Sequence, residues 1–235
     1  MYNFTFNIPT KIHFGKDTIS SLSELKAYGS KVLLVYGGGS IKKNGLYDTA
    51  MKILKDAGLT VFELSGVEPN PKIETVRKGV EICKNEGIDM VLAIGGGSTI
   101  DCSKVVAAGA KYDGDAWDLV LDGSKVKAAL PIFDVLTLSA TGTEMDPFAV
   151  ISDMSKNEKW GTGSPYMVPT MSILNPEYTF SVSKKQTAAG TADMMSHTME
   201  NYFSMENADC QKFMAEGLLP VSYTHLRAHE TVLDL

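Results

Sequence analysis

The run Val91-Leu-Ala-Ile-Gly-Gly-Gly-Ser-Thr-Ile-Asp-Cys-Ser-Lys104 joins an apolar stretch of strand length to three glycines and then to a helix-compatible segment. Glycines at 95–97 lack the Cβ atoms that would hold a bulky anion away from the backbone, and Ser98 stands where an N-cap is expected. The free N–H groups in the first turn of such a helix point at an anion. A second copy, Val32-Leu-Leu-Val-Tyr-Gly-Gly-Gly-Ser40, repeats the layout. One glycine triplet serves a tight turn as readily as a ligand, but two at strand ends in one βαβ unit point to a nucleotide site. The GxGxxG fingerprint with an acid about 20 residues on is absent, so this is a variant scheme.

Outward from this segment, strands are expected at 11–15, 31–36, 60–64, 90–94, 130–138, 149–151 and 171–174. Helices are expected at 17–25, capped by Asp17, and at 46–57, 73–85, 98–108, 183–203 and 208–218. A polar stretch, 152–159, separates two of the strands. The alternation predicts an α/β fold, a doubly wound, mostly parallel sheet, followed by the start of an all-helical domain. The expected division is 1–180, 181–219 and a tail, 220–235, in which Pro220 interrupts a helix without evident packing logic.

Net charge is −6, with acids and bases interspersed, so no basic stripe invites nucleic acid or an anionic membrane. The three cysteines, Cys83, Cys102 and Cys210, form no CxxC pair, which fits a reduced, cytoplasmic setting. No signal-peptide pattern opens the chain and no apolar run reaches roughly 18 to 20 residues, so neither secretion nor membrane spanning is expected.

Gly37 occupies the strand end where an acid would bind an adenosine ribose hydroxyl. With no carboxylate there, and with Ser40, Lys42 and Lys43 nearby to accept a 2′-phosphate, NADP is expected over NAD. Asp193 and His197 lie four apart on a helix and share a face, as a surface pair or as two ligands of one divalent ion. Spacing alone favours the surface pair, since i,i+4 polar pairs are common and two ligands are too few for a site. His225 and His229 also lie four apart but lack the glutamate of HExxH, and no metal role is expected. Asp101 and Lys104 read as positioning residues, or, for Lys104, as a solvated side chain. Lys159 and Tyr178 by themselves read as a surface lysine and a half-buried tyrosine.

Five segments together carry a resemblance: Tyr36-Gly-Gly-Gly-Ser40, Gly66-Val-Glu-Pro-Asn-Pro71, Gly95-Gly-Gly-Ser98 with Asp101 and Lys104, Thr137-Leu-Ser-Ala-Thr-Gly-Thr-Glu144, and Ala189-Gly-Thr-Ala-Asp-Met-Met-Ser-His197. Over roughly residues 1–218 the chain resembles the iron-dependent, or group III, alcohol dehydrogenases, and within them the NADPH-dependent butanol dehydrogenase branch. The resemblance implies that Gly37, Gly38 and Ser40 meet the adenosine end of NADP(H), and Gly95, Gly96 and Ser98 the pyrophosphate. Asp101, Thr137, Thr141 and Lys159 would touch further parts of the cofactor, with Tyr178 beside it. It makes Asp193 and His197 two of four ligands of Fe²⁺ or Zn²⁺ in a helical metal-binding domain. The other two are histidines further downstream, to which His225 and His229 do not correspond.

The activity so implied is reversible hydride transfer between NADP(H) and a primary alcohol or aldehyde of the butanol/butanal kind. The metal would act as Lewis acid, no side-chain acid or base is assigned, and the substrate would sit in a cleft between domains. The full-length parent is expected to be a homodimer. From about residue 219 the sequence leaves the family pattern and resembles a translated sequencing-adaptor tail, so this polypeptide is expected to be inactive. Asp146 and Pro147 also depart from the pattern, which often has Asn and a small residue there. Two alternatives stand beside this reading. One is an NAD-dependent relative of the glycerol dehydrogenase or dehydroquinate synthase kind, against which the 137–144 motif and Gly37 speak. The other is a nucleotide-binding fragment without catalysis.

Overall fold

Strands β2 (Lys31–Tyr36), β4 (Met90–Gly95) and β5 (Ile132–Leu136) read as almost unbroken apolar runs because both faces of their sheet are covered. In the computed structural model, which describes residue 5 and residues 7–204 and 208–230, they form the middle of a six-stranded sheet. Its order is β1-β8-β5-β4-β2-β3, with β1 (Lys11–Phe14), β3 (Thr60–Leu64) and β8 (Met171–Leu174) completing it, and every pairing is parallel. Alternate residues serve opposite cores. Leu33, Val35, Val91 and Ile132 face one, and Val32, Leu34, Leu92, Ile94, Phe133 and Val135 the other.

The helices cover these faces by their own periodicity. In α2 (Leu46–Asp56) the buried residues Leu46, Ala50 and Leu54 recur every four positions, and in α3 (Ile73–Glu86) Ile73, Val76, Val80 and Cys83 recur every three or four. A four-residue α1 (Ser40–Lys43) follows the first glycine loop, and α5 (Ala116–Leu121) is capped by the Asp115 carboxylate. Between β4 and β5 runs α4 (Gly97–Gly109), buried almost all round.

Several expectations are corrected. The segment after Asp17 is a 3-10 helix, Thr18–Tyr28, and Asp17 sits in a left-handed conformation with no side-chain cap bond. Gly96, not Ser98, is the N-cap of α4, and Ser98 lies in its first turn. The polar stretch 152–159 is a hairpin rather than a spacer: β6 (Phe148–Asp153) pairs antiparallel with β7 (Glu158–Gly163) in a separate two-stranded sheet. Pro220 lies inside α7 (Asp209–Glu230) instead of ending it. Its missing N–H frees a carbonyl one turn earlier on Glu216, an exposed residue, and the Thr224 hydroxyl donates to the Pro220 carbonyl at 2.8 Å.

The chain divides into two compact units, Met1–Leu138 with Gly142–Tyr178, and Ser139–Thr141 with Thr179–Leu235. In the second, α6 (Lys184–Tyr202) packs on α7, and the Tyr202 hydroxyl donates to Glu216 Oε1 at 3.2 Å. The side chains of His225 and His229, and residues 231–235, lie outside the described residues. No helix among the described residues is long and apolar enough to cross a membrane.

Candidate functional site

After β2 the chain moves outward to β3, and after β4 it moves the other way to β5, so the topological switch point lies between the carboxyl ends of β2 and β4. Ligands of doubly wound sheets bind at that crevice. Register places the three loops there: Tyr36 pairs with Ile94, Gly95 with Leu136, and the Thr137 N–H bonds the Gly95 carbonyl at 2.9 Å. Gly37, Gly95 and Thr137 are thus neighbours at the ends of three adjacent strands.

The first turn of α4 can receive an anion. Its first N–H groups have no intrahelical partner, and no acid occupies its first turn. Gly95 is required by packing, because a Cβ there would stand 2.4 Å from Thr99 Oγ1. The Ser98 hydroxyl accepts from the Asn70 N–H at 3.3 Å, and Lys159 Nζ, brought in on β7, donates to Asn70 Oδ1 at 2.7 Å. Ser98 and Lys159, far apart in sequence, therefore meet through Asn70, which sequence reasoning left inside a motif without a role. The available signal was its place in Pro69-Asn-Pro71, since Asn tolerates the left-handed conformation it adopts at φ 55°.

At the other loop, Gly38 and Gly39 face open space and Gly39 adopts φ 102°. Ser40, Lys42 and Lys43 are exposed beyond it. Beside them, the Tyr36 and Tyr47 hydroxyls donate to the two oxygens of Glu63 at 2.6 and 2.8 Å, and the Tyr36 bond holds that carboxyl below its usual range. Lys42 Nζ lies 4.9 and 4.4 Å from the same two ring centroids.

Lys104 is not solvated. Its side chain is fully buried, and Nζ lies 2.8 Å from each of four oxygens: Thr143 Oγ1, Asp146 O, Asp146 Oδ1 and Phe148 O. Asp101 completes the knot, with Oδ1 accepting from Thr143 Oγ1 at 2.7 Å and Oδ2 from the Val150 N–H at 3.0 Å. Burial pushes the Asp101 carboxyl up, against the Thr143 bond. Asp146, the departure from the family pattern, thus supplies the anion for a buried cation. Tyr178 is half-buried against the core, and burial raises its phenol. Thr141 is exposed in the 137–144 loop.

On α6, Asp193 Oδ1 and His197 Nε2 stand 3.8 Å apart with roughly half of each side chain in solvent (42% and 48%). A carboxylate and an imidazole on one helix face suit a divalent transition ion. Among the described residues no group of three or more His, Cys, Asp and Glu side chains gathers around them. They fit as part of a metal site.

The family model for iron-containing alcohol dehydrogenases matches residues 9–176. The NADH-dependent butanol dehydrogenase A of Clostridium acetobutylicum is 60% identical over 221 residues, which is 93% of this chain and 57% of that protein. The NADPH-dependent aldehyde reductase YqhD of Escherichia coli is 40% identical over 223 residues, again 93% and 57%. The crystal structure of an NADH-dependent butanol dehydrogenase A from Thermotoga maritima matches with a TM-score of 0.92 at 45% identity, covering 100% of this chain and 58% of that one. The chain therefore spans somewhat over half the length of these relatives.

Proposed function

Since the chain belongs to the iron-containing alcohol dehydrogenases, we propose that its first unit is the dinucleotide-binding part of an enzyme that interconverts primary alcohols and aldehydes of the butanol/butanal kind. The observation that carries this reading is the convergence of Ser98, Asn70 and Lys159 at the N-terminus of α4, opposite Gly37 and beside Thr137. The α4 N–H groups, the Ser98 hydroxyl and the Lys159 ammonium bind the pyrophosphate. Gly38 and Gly39 leave room for the adenosine ribose. Thr137, Thr141 and Tyr178 orient the nicotinamide half, and Asp101 acts on it through the loop that it holds. The bound cofactor would supply or take up the hydride. Asp193 and His197 would provide two ligands of Fe²⁺ or Zn²⁺, whose Lewis acidity would polarise the substrate oxygen.

We assign NADP(H) as an accepted cofactor. No carboxylate projects from Gly37, the Glu63 carboxylate is engaged by two tyrosines, and Lys42 and Lys43 stand exposed to meet a 2′-phosphate. The relatives carry both preferences in their names. Fluorescence titration tests the assignment. NADPH binds no more weakly than NADH, and Ser98→Ala or Lys159→Ala each weakens NADPH roughly ten- to hundredfold, the value of a charge-assisted bond. Unchanged affinity in both variants would remove the cradle reading.

A second reading applies to these 235 residues as a polypeptide: nucleotide binding without turnover. It is favoured by the lack of a third donor beside Asp193 and His197 among the described residues. The expected outcome is no reduction of butanal with NADPH when Fe²⁺ or Zn²⁺ is added. Clear metal-dependent turnover would sink it.

A further inference from the structure

Asp134 lies in the middle of β5 with 1% of its surface exposed, in register with Ala93 of β4 and Ser172 of β8. Its Oδ2 is 2.5 Å from the Ser172 hydroxyl, and that hydroxyl is 2.7 Å from the Glu144 carbonyl. Both separations are those of O–H···O bonds, so three oxygens in a row need two protons. Serine carries one and a backbone carbonyl carries none. Were Asp134 a carboxylate, one contact would press lone pairs together with nothing between them. The second proton has a place only on Asp134.

The surroundings agree. Two charged groups act on this carboxyl. Glu144 opposes a second negative charge nearby, and the Lys104 ammonium, which favours one, is already committed to oxygens of Thr143, Asp146 and Phe148. Burial, the largest influence, drives the Asp134 carboxyl well above its ordinary range. Among the described residues its Oδ1 has no hydrogen-bond partner. That costs far less for the carbonyl oxygen of a neutral acid than for half of a carboxylate.

We propose that Asp134 is a positioning residue held in its acid form, with its Oδ2–H donating to Ser172 Oγ and the Ser172 hydroxyl donating to the Glu144 carbonyl. The relay runs from the interior of the sheet to the last residue of the 137–144 loop. The bond from Thr137 to Gly95 pins the first residue of that loop. Thr137 and Thr141 are thereby carried on a segment tied at both ends. The effect on cofactor affinity rests on the dinucleotide reading above; the protonation state does not.

Infrared spectroscopy of the full chain at neutral pH is the direct test. A protonated-carboxyl C=O band should be present in the wild type and absent from Asp134→Asn, and identical spectra in that region would overturn the proposal. The pH dependence of stability gives a second arm. A carboxyl whose folded pKa lies above its unfolded value stabilises fully at low pH and loses that contribution as pH rises from the unfolded value towards the folded one. Asp134→Asn should abolish this decline, and parallel profiles for the two proteins would refute the assignment.

The positioning role is read from NADPH titration. Asp134→Ala and Ser172→Ala should each weaken binding about tenfold, the scale of one hydrogen bond. Asp134→Asn, whose amide N–H replaces the acid O–H towards Ser172, should recover the affinity. Loss in Asn equal to that in Ala, or no loss in Ser172→Ala, would refute the role. If the wild type binds no NADPH, the dinucleotide reading fails, and the infrared and pH arms still decide the state of Asp134.

Discussion

Replacing Lys104 by methionine keeps most of the side-chain volume and removes the ammonium that four oxygens surround at 2.8 Å. The Asp146 carboxylate, the Thr143 hydroxyl and two backbone carbonyls then lose a donor together. Deleting one partner of a buried ion pair costs about 3–5 kcal/mol. Asp146 keeps 32% of its side chain in water, so the lower end applies, about 3 kcal/mol. At about 2–4 °C per kcal/mol for a domain of this size, Tm falls by about 6–12 °C. Urea unfolding followed by tryptophan fluorescence should show a lower midpoint with an unchanged slope. Asp146→Asn in the Lys104→Met background should add little, because the two side chains share one interaction. A Tm shift below about 2 °C, or additive effects in the double variant, would refute the claim that this knot holds the 143–150 segment.

Three further outcomes are expected. Burial pushes the Cys83 thiol up to about 12 and raises the buried Cys102 as well, whereas Cys210 is exposed, so iodoacetamide at neutral pH should leave one adduct on the native protein, at Cys210. Early labelling at Cys83 or Cys102 in mass spectra would contradict that packing. Glu63 is held below its unfolded pKa, so its contribution is present above the unfolded value and lost as pH falls through the folded one; Glu63→Gln should show the shallower acid destabilisation. In the second unit Phe203, Phe213, Met214, Leu218 and Val221 are exposed, and the isolated chain should self-associate. Phe213→Ser with Leu218→Ser should lower the apparent mass in sedimentation, and a monodisperse monomer of the unaltered chain would count against this.

The central strand β2 was legible because a parallel strand covered on both faces leaves an uninterrupted apolar run, and the bounds of β2, of the edge strand β3 and of β8 are those expected from sequence. The second strand of the hairpin was not, since Glu158-Lys-Trp-Gly-Thr-Gly163 is polar, holds two glycines and is half exposed. Ser98 looked like a cap because caps are read from residue type, yet the backbone turns at Gly96 and frees the hydroxyl for Asn70. Lys104 and Asp134 were hidden for a common reason. A buried charge or acid is specified by partners about 40 residues away, Asp146 and Ser172, and nothing local marks it. The pairing of Asp193 with His197 on one face was visible from spacing, because helical geometry alone fixes it.

Ten of the 13 residues of α4 are buried, and it therefore has no solvent-facing stripe on which to exist alone. Its covering comes from α3 and β4, which precede it in sequence, and from the more distant β6 and β5. The first turn of α4 is thus supported by the domain as a whole rather than by its own sequence. If the dinucleotide binds as proposed, forms that have released α4 would not bind it, and the ligand would shift the global unfolding equilibrium by about 2.7 kcal/mol at a hundredfold excess over Kd. On the proposed reading, resistance to proteolysis would track the concentration of the cofactor pool, and the dinucleotide would act as a folding ligand.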